Sequence, residues 1–185
     1  MGNQENTGKI IRPVFPNLVL ISGSGRDTGK TRLSCMLIRK FKEKAPVAAI
    51  KISPHNHDSA YPLQKLNSNE GFSVWQEQKN SGKDSGKFIE AGADPVFYIE
   101  TSDLHLYDAF TYTAALFSSR LIICESGGLA RYVKPGLLVY IQSPDGQLSA
   151  KKEQVKSMAD LIISPEDVLS LSGELESDQG IWKLS

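Results

Sequence analysis

Gly29, Lys30 and Thr31 close a glycine-rich turn, Ser22-Gly23-Ser24-Gly25-Arg26-Asp27-Thr28, and this triplet carries a specific chemistry. Backbone N–H groups of such a turn and of the helix that follows cradle phosphate oxygens. A lysine in the place of Lys30 reaches the β and γ oxygens, and a hydroxyl in the place of Thr31 ligates Mg²⁺. The strict spacing of a phosphate loop, Gly-x4-Gly-Lys-[Ser/Thr], requires glycine at position 24. The chain has Ser24 there, flanked by Gly23 and Gly25, so that read from Gly23 the loop is one residue longer than the common form. Gly25, Arg26, Asp27, Thr28, Gly29, Lys30, Thr31 and Arg32 are therefore the candidate nucleotide contacts. Arg26 suits a phosphate contact. Asp27 would repel a triphosphate unless it faces Mg²⁺, water or another subunit, and the sequence leaves these open.

A phosphate loop needs a carboxylate on a neighbouring strand to act on Mg²⁺ or on an attacking water. Glu125 directly follows the apolar run Leu121-Ile122-Ile123-Cys124 and is the leading candidate; the alternative is a local turn with Ser126 and two glycines. Lys51 lies inside an apolar strand pattern and needs a partner if it points inward, a role that phosphate or Glu125 would fill. His55, His57 and Asp58 form a polar cluster just after it. Two imidazoles and one carboxylate could share a metal, contact an oxyanion, or lie on the surface. Asp84 with Ser85 opens a short helix, as an N-cap or as part of a Mg²⁺ shell. The expected metal set is thus Thr31, Asp84 and Glu125, and the expected catalytic pair is Lys30 and Glu125.

These residues require a scaffold that brings several strand ends to one edge. The apolar run 18–21 enters the glycine-rich turn, and Leu33, Met36 and Leu37 follow at helical spacing. Arg39, Lys40, Lys42 and Lys44 suit that helix's C-terminus, and Pro46 closes it. Val47, Ala48, Ala49, Ile50 and Ile52 read as a strand covered on both faces. Residues 59–83 are the weakest pattern, with Phe72, Val74 and Trp75 as a short edge strand among loops. Further on come a short helix over 87–91 ended by Gly92, a strand over 96–99, a helix from Ser102 to about Ser118, and strands over 121–123, 137–141 and 161–163. A polar helix over 150–158 precedes the last of these strands, and a terminal helix near Pro165 runs to about Leu171. Alternation of strand and helix predicts an α/β fold, with a mostly parallel sheet and helices on both faces. Ligands bind such sheets at the carboxyl edge, where the loop residues would lie.

Length predicts one domain over residues 1–185, with 1–16 as a polar lead-in in which Pro13 and Pro16 end regular structure before the first strand. Twenty-one basic side chains balance twenty-one acidic ones, which gives no argument for nucleic acid or an anionic membrane as a partner. Cys35 and Cys124 sit inside apolar patterns without metal spacing and read as buried thiols of a reducing compartment. The start MGNQENTGK has no apolar core of a signal peptide, Asn6 breaks the myristoylation pattern, and no run reaches the ~20 apolar residues of a membrane span. A cytoplasmic protein is expected. His105, on an amphipathic pattern, reads as structural or exposed.

The loop, the strand end AAIKISPHNHD, the segment GKDSGKFIEAGA and the strand end ICESGGLARYVKPGLLVYI occur in the order found in the MobB family, the molybdopterin-guanine dinucleotide biosynthesis protein B group. Over about residues 18–163 the chain resembles this family, which belongs to the dimeric SIMIBI branch of P-loop NTPases. The resemblance implies a P-loop NTPase fold and a homodimer that binds GTP with Mg²⁺, hydrolyses it slowly, and assists nucleotide attachment to molybdenum cofactor. Molybdopterin cofactor and a nucleotidyltransferase would be its partners. By position it implies that Gly29, Lys30 and Thr31 hold phosphate and Mg²⁺, that Glu125 takes the Walker B role, and that His55, His57 and Asp84 line the active face. Two departures stand out. The loop is closer to the longer form of dethiobiotin synthetases, and Glu125-Ser126-Gly127-Gly128 replaces the Glu-Gly-Phe-Lys type. An ATP-dependent ligase of that kind, with residues 59–83 supplying the acceptor pocket, is the first alternative. A nucleotide-gated metal-delivery module built on the histidines is the second.

Overall fold

The computed structural model describes residues 12–54, 63–68, 71–80, 83–117, 120–144, 147–171, 175–178 and 180–184. The elements in chain order are β1 (Val14–Gly23), α1 (Lys30–Phe41), β2 (Val47–Ser53), β3 (Leu63–Ser68), β4 (Phe72–Glu77), α2 (Asp84–Ala91) and β5 (Val96–Thr101). They continue with α3 (Leu106–Ala114), β6 (Leu121–Glu125), β7 (Lys134–Ile141), α4 (Ala150–Lys156), β8 (Leu161–Ile163), α5 (Val168–Leu171), β9 (Leu175–Asp178) and β10 (Ile181–Leu184). Single 3₁₀ turns at Asp103–His105 and Leu129–Arg131 lead into α3 and β7. Among the described residues eight strands form one sheet in the order β3-β4-β5-β2-β6-β1-β7-β8, and β9 pairs with β10 in a separate hairpin.

Strands β5, β2, β6, β1, β7 and β8 run parallel, while β3 and β4 extend the sheet antiparallel. The centre of the sheet is covered on both faces, which is why its strands are continuous apolar runs rather than alternating ones. Val19 and Ile21 of β1 pack with Leu33, Leu37, Ile38 and Phe41 of α1, Phe88 of α2 and Val168 of α5. Leu18 and Leu20 pack on the opposite face with Leu106, Ala109 and Phe110 of α3 and Val155 of α4. The α1 residues recur at the spacing of one helical stripe and are fully buried. Each contributes about 1.5–3 kcal/mol of transfer free energy.

Several sequence expectations change. The first strand begins at Val14 rather than after Pro16, with its pairing to β7 shifted between Phe15 and Val19. The shift takes up Pro16, which has no N–H to give the ladder. Opposite it, a Cβ on Gly136 would stand 2.1 Å from the Pro16 carbonyl oxygen, so only glycine lets the two backbones meet. The expected edge strand around Trp75 is an interior one, because the polar segment of β3 pairs along its free side. The helix expected from Ser102 opens as a 3₁₀ turn, without a side-chain cap, and ends near Ala114; Leu116 is exposed. The β9–β10 hairpin was not expected. It docks through Trp182, whose ring meets Phe41 edge-on and whose Nε1 donates to the Asn17 carbonyl at 2.8 Å. Both cysteines are buried and free, as expected. Burial pushes both thiols up, away from the reactive thiolate. No described helix is long and apolar enough to cross a membrane.

Candidate nucleotide site

Strand β1 carries the chain to the carboxyl edge of the sheet, and the loop that follows is tied to the end of β7. The Ser24 amide donates to the Ile141 carbonyl at 3.0 Å. The Ser24 hydroxyl accepts the Ser143 amide at 2.9 Å, and Lys152 of α4 donates to the Ser24 carbonyl. Of these bonds only the one to the hydroxyl needs a serine; a glycine at position 24 could not make it. The close-approach role falls one residue earlier. A Cβ on Gly23 would lie 2.8 Å from the Ile141 oxygen and 2.9 Å from Thr28 Oγ1.

The loop then turns through Asp27, left-handed at φ 55°, and Gly29 at φ 94°. Aspartate visits this region because its short polar side chain tolerates it, and glycine because it has no Cβ. Helix α1 starts at once, with no side-chain cap and no acidic residue in its first turn. Its positive end thus has no side-chain cap among the described residues, an arrangement that suits an anion. Lys30 folds back over the loop, with Nζ 2.5 Å from the Gly25 carbonyl and 3.1 Å from Thr28 Oγ1. Burial pushes its ammonium below the ordinary lysine range, opposed by the charge of Glu125. Polyphosphate at this point would restore the lost solvation. Arg26, Asp27 and Arg32 are exposed.

The remaining members arrive through strand register. Ile21 of β1 stands beside Glu125 of β6, and Glu125 beside Lys51 of β2. In parallel strands residues in register share a face, here the one covered by α1 and α2. Thr31 Oγ1, at the start of α1, donates to Glu125 Oε2 at 2.9 Å. Lys51 Nζ bonds Glu125 Oε1 and lies 3.3 Å from Asp84 Oδ2, at the start of α2. The Glu125 side chain is 3% exposed and that of Lys51 18%. Lys87 adds a contact to Asp84 at 3.0 Å. Burial works to raise the Asp84 carboxyl, yet the hydrogen bond from Lys87 and the charge of Lys51 outweigh it and hold the group below the ordinary carboxylate range.

The inward partner expected for Lys51 is therefore Glu125. Asp84 is not an N-cap; Lys83 occupies that position, without a side-chain capping bond, and Asp84 is the first helical residue. As a metal set, Thr31, Asp84 and Glu125 are only partly brought together, because the Lys51 ammonium stands between the two carboxylates. Among the described residues no group of three His, Cys, Asp or Glu could hold a metal. The paired Thr31 hydroxyl and Glu125 carboxylate do fit Mg²⁺ of the kind that arrives with phosphate oxygens and keeps its waters, since both are hard oxygen donors on the phosphate side of the loop. His55 and His57 lie outside the described residues. Ser24, Ser143 and Lys152 were missed by the sequence reading. Only the serine between two glycines carried a signal for any of them.

The structure resembles LpxK from Aquifex aeolicus, crystallised in an "apo" form in complex with ATP, with a TM-score of 0.53 over 85% of this chain. The chain has a P-loop NTPase fold. Identity to LpxK is 13%, and the match covers 51% of the LpxK chain, so this chain spans about half of that protein's length and the likeness is one of fold. No protein-family model matches the sequence, and no curated protein matches it.

Proposed function

We propose that this chain binds a nucleoside triphosphate with Mg²⁺ at the loop 23–31 and hydrolyses it slowly. The observation that carries the reading is the continuous chain Thr31–Glu125–Lys51–Asp84, which links the starts of α1 and α2 to the ends of two strands beside an uncapped helix N-terminus. In this reading the loop amides and Lys30 hold the β and γ oxygens, and Thr31 and Glu125 hold the metal, directly or through its water. Mg²⁺, when bound, neutralises phosphate charge as it redistributes. Lys51 positions Glu125, which orients the attacking water, and Asp84 fixes Lys51 from the other side. Arg26 and Arg32 remain available to phosphate from the exposed rim of the loop.

Lys51 and Asp84, two of the residues on which the MobB resemblance rests, meet in this site, and that supports the finer reading. The chain is then one GTP-binding domain over residues 1–185, a cytoplasmic homodimer, accessory to nucleotide attachment on molybdenum cofactor, with a nucleotidyltransferase as partner. A second reading, an ATP-dependent ligase resembling dethiobiotin synthetase, is favoured by the loop that begins at Gly23 and by an open cavity beside it. Calorimetry of GTP and ATP with Mg²⁺, each with and without a molybdopterin cofactor, separates the two. Preference for GTP, strengthened by the pterin, supports the MobB-like reading. Preference for ATP with no response to the pterin removes it. Light scattering at about twice the monomer mass is expected with nucleotide present, and a monomer under all conditions would count against the dimer.

A further inference from the structure

On the face of the sheet opposite α1 and α2, a cavity of about 190 Å³ opens beside the loop. Its walls include Ile52, Pro54 and Leu106, the segment Ser126-Gly127-Gly128, and the charged side chains of Asp103, Arg131, Lys151 and Lys152. Only Lys152 is shared with the nucleotide site described above, through its bond to the Ser24 carbonyl.

Three cations and one carboxylate line the cavity, which leaves the wall two positive charges in excess. Asp103 already accepts from Arg131 at 2.7 Å and from Lys151. The bond from Lys151, aided by the charge and bond of Arg131, holds its carboxyl below the ordinary range against burial. The Arg131 side chain is only 14% exposed, and its Nε–H is buried without an acceptor among the described residues. The Nε–H itself does not reach the cavity, but a guanidinium so little exposed, with two lysines beside it and one carboxylate between them, favours an anion. Of the two glycines, Gly128 is the one whose missing side chain leaves the space open. A Cβ on Gly127 would meet nothing within 4 Å, whereas one on Gly128 would come within 3.0 Å of the Arg131 guanidinium.

We propose that this cavity binds a small organic anion, one carboxylate or phosphate group on a short apolar body, as a second ligand beside the nucleotide. Arg131 and Lys151 take the charged group, and Ile52, Pro54 and Leu106 take the body. A cavity of about 150 Å³ holds benzene, so the volume here suits a single ring or a chain of about ten heavy atoms. Lys152 gives the pocket a route to the nucleotide, because a ligand that draws it away frees the Ser24 carbonyl and loosens the loop. This coupling rests on the proposed nucleotide site; anion binding itself does not. The Ser126-Gly127-Gly128 segment is then explained by the second ligand, and the acceptor pocket of the ligase reading lies here rather than in residues 59–83.

The test uses the full chain, amide-resolved NMR, and three probes: phenyl phosphate, benzoate and benzyl alcohol. Saturable shifts at the Gly127 and Gly128 amides are expected with at least one of the two anions and not with the alcohol, and the tighter anion identifies the charged group. Gly128→Leu, whose Cβ would already stand 3.0 Å from the Arg131 guanidinium and 3.4 Å from Asp103 and Leu106 and so grows among the lining side chains, should abolish the shifts. Lys151→Glu, at a side chain 67% exposed, should weaken binding about tenfold without lowering the melting temperature. Equal binding of the alcohol, or anion binding untouched by Gly128→Leu, overturns the proposal. So do shifts confined to residues 25–31 and lost in Lys30→Ala, which would put the anion in the phosphate loop. Mg²⁺–nucleotide titration on the same samples separates the two claims. Nucleotide binding without probe binding removes the pocket alone, and probe binding at Gly127 without nucleotide binding removes only the nucleotide site.

Discussion

Replacing Glu125 by Gln keeps its shape and removes the charge that faces Lys51. Two unit charges about 4 Å apart attract by about 4 kcal/mol at the effective dielectric of a partly screened site, and breaking a buried pair from one side costs about 3–5 kcal/mol. Lys51 is 18% exposed and keeps Asp84 at 3.3 Å, so the loss for Glu125→Gln should fall at the bottom of that range, about 3 kcal/mol. Lys51→Met strands the Glu125 carboxylate, which is 3% exposed and retains only the Thr31 hydroxyl among the bonds described, and should cost at least as much. In the double variant neither charge is stranded. Urea unfolding of the four proteins should therefore give a coupling energy of about 2 kcal/mol, with the double variant well short of the sum of the single losses. Additive losses would show that the two side chains do not act as a pair, and the account of how Glu125 is positioned would fail with them.

Three further outcomes follow from the same contacts. Asp84 has a depressed carboxyl in the folded state, so its contribution to stability is present above the unfolded value of about 3.9 and is lost as pH falls through the lower folded value. Carbon-detected titration should place its midpoint below about 3.9, and Lys87→Met should raise it; a midpoint above that value in the parent protein would mean that burial dominates. Its contribution in kcal/mol is small, because the side chain is 44% exposed and screened by solvent. Gly136→Ala drives a Cβ against the Pro16 carbonyl and should destabilise by more than the ~1–3 kcal/mol of ordinary overpacking, read from urea midpoints. Trp182→Ala should cost about 3–5 kcal/mol and free the terminal hairpin, which proteolysis would detect as early cleavage after residue 171.

The order of strands and helices was legible because the central strands are buried on both faces and so are continuous apolar runs, a signal that survives without any tertiary knowledge. The antiparallel extension was half legible. Trp75 and its neighbours read as a strand, but β3 is polar and its pairing depends on β4 lying beside it. The terminal hairpin had no local signal beyond Trp182, since its stability comes from docking on Phe41 and Asn17. At the site, Lys30, Thr31 and Glu125 were legible from a motif and a strand end. For Lys51 the sequence left phosphate and Glu125 both open, because the choice follows from the register of two strands that are 70 or more positions apart, and its contact with Asp84 at the start of α2 had no sequence signal. Asp84 was misread as a possible cap for the same reason: a carboxylate at a helix start looks alike whether it bonds its own backbone or a lysine on a distant strand.

The central claim is that the loop 23–31 holds a triphosphate through Lys30. Isothermal titration of Mg²⁺–GTP and Mg²⁺–ATP into the parent protein and into Lys30→Ala tests it most directly. The account predicts saturable binding of at least one nucleotide to the parent protein and none to the variant, with both proteins unfolding cooperatively. No binding to the parent, or equal affinity in the two, would contradict it.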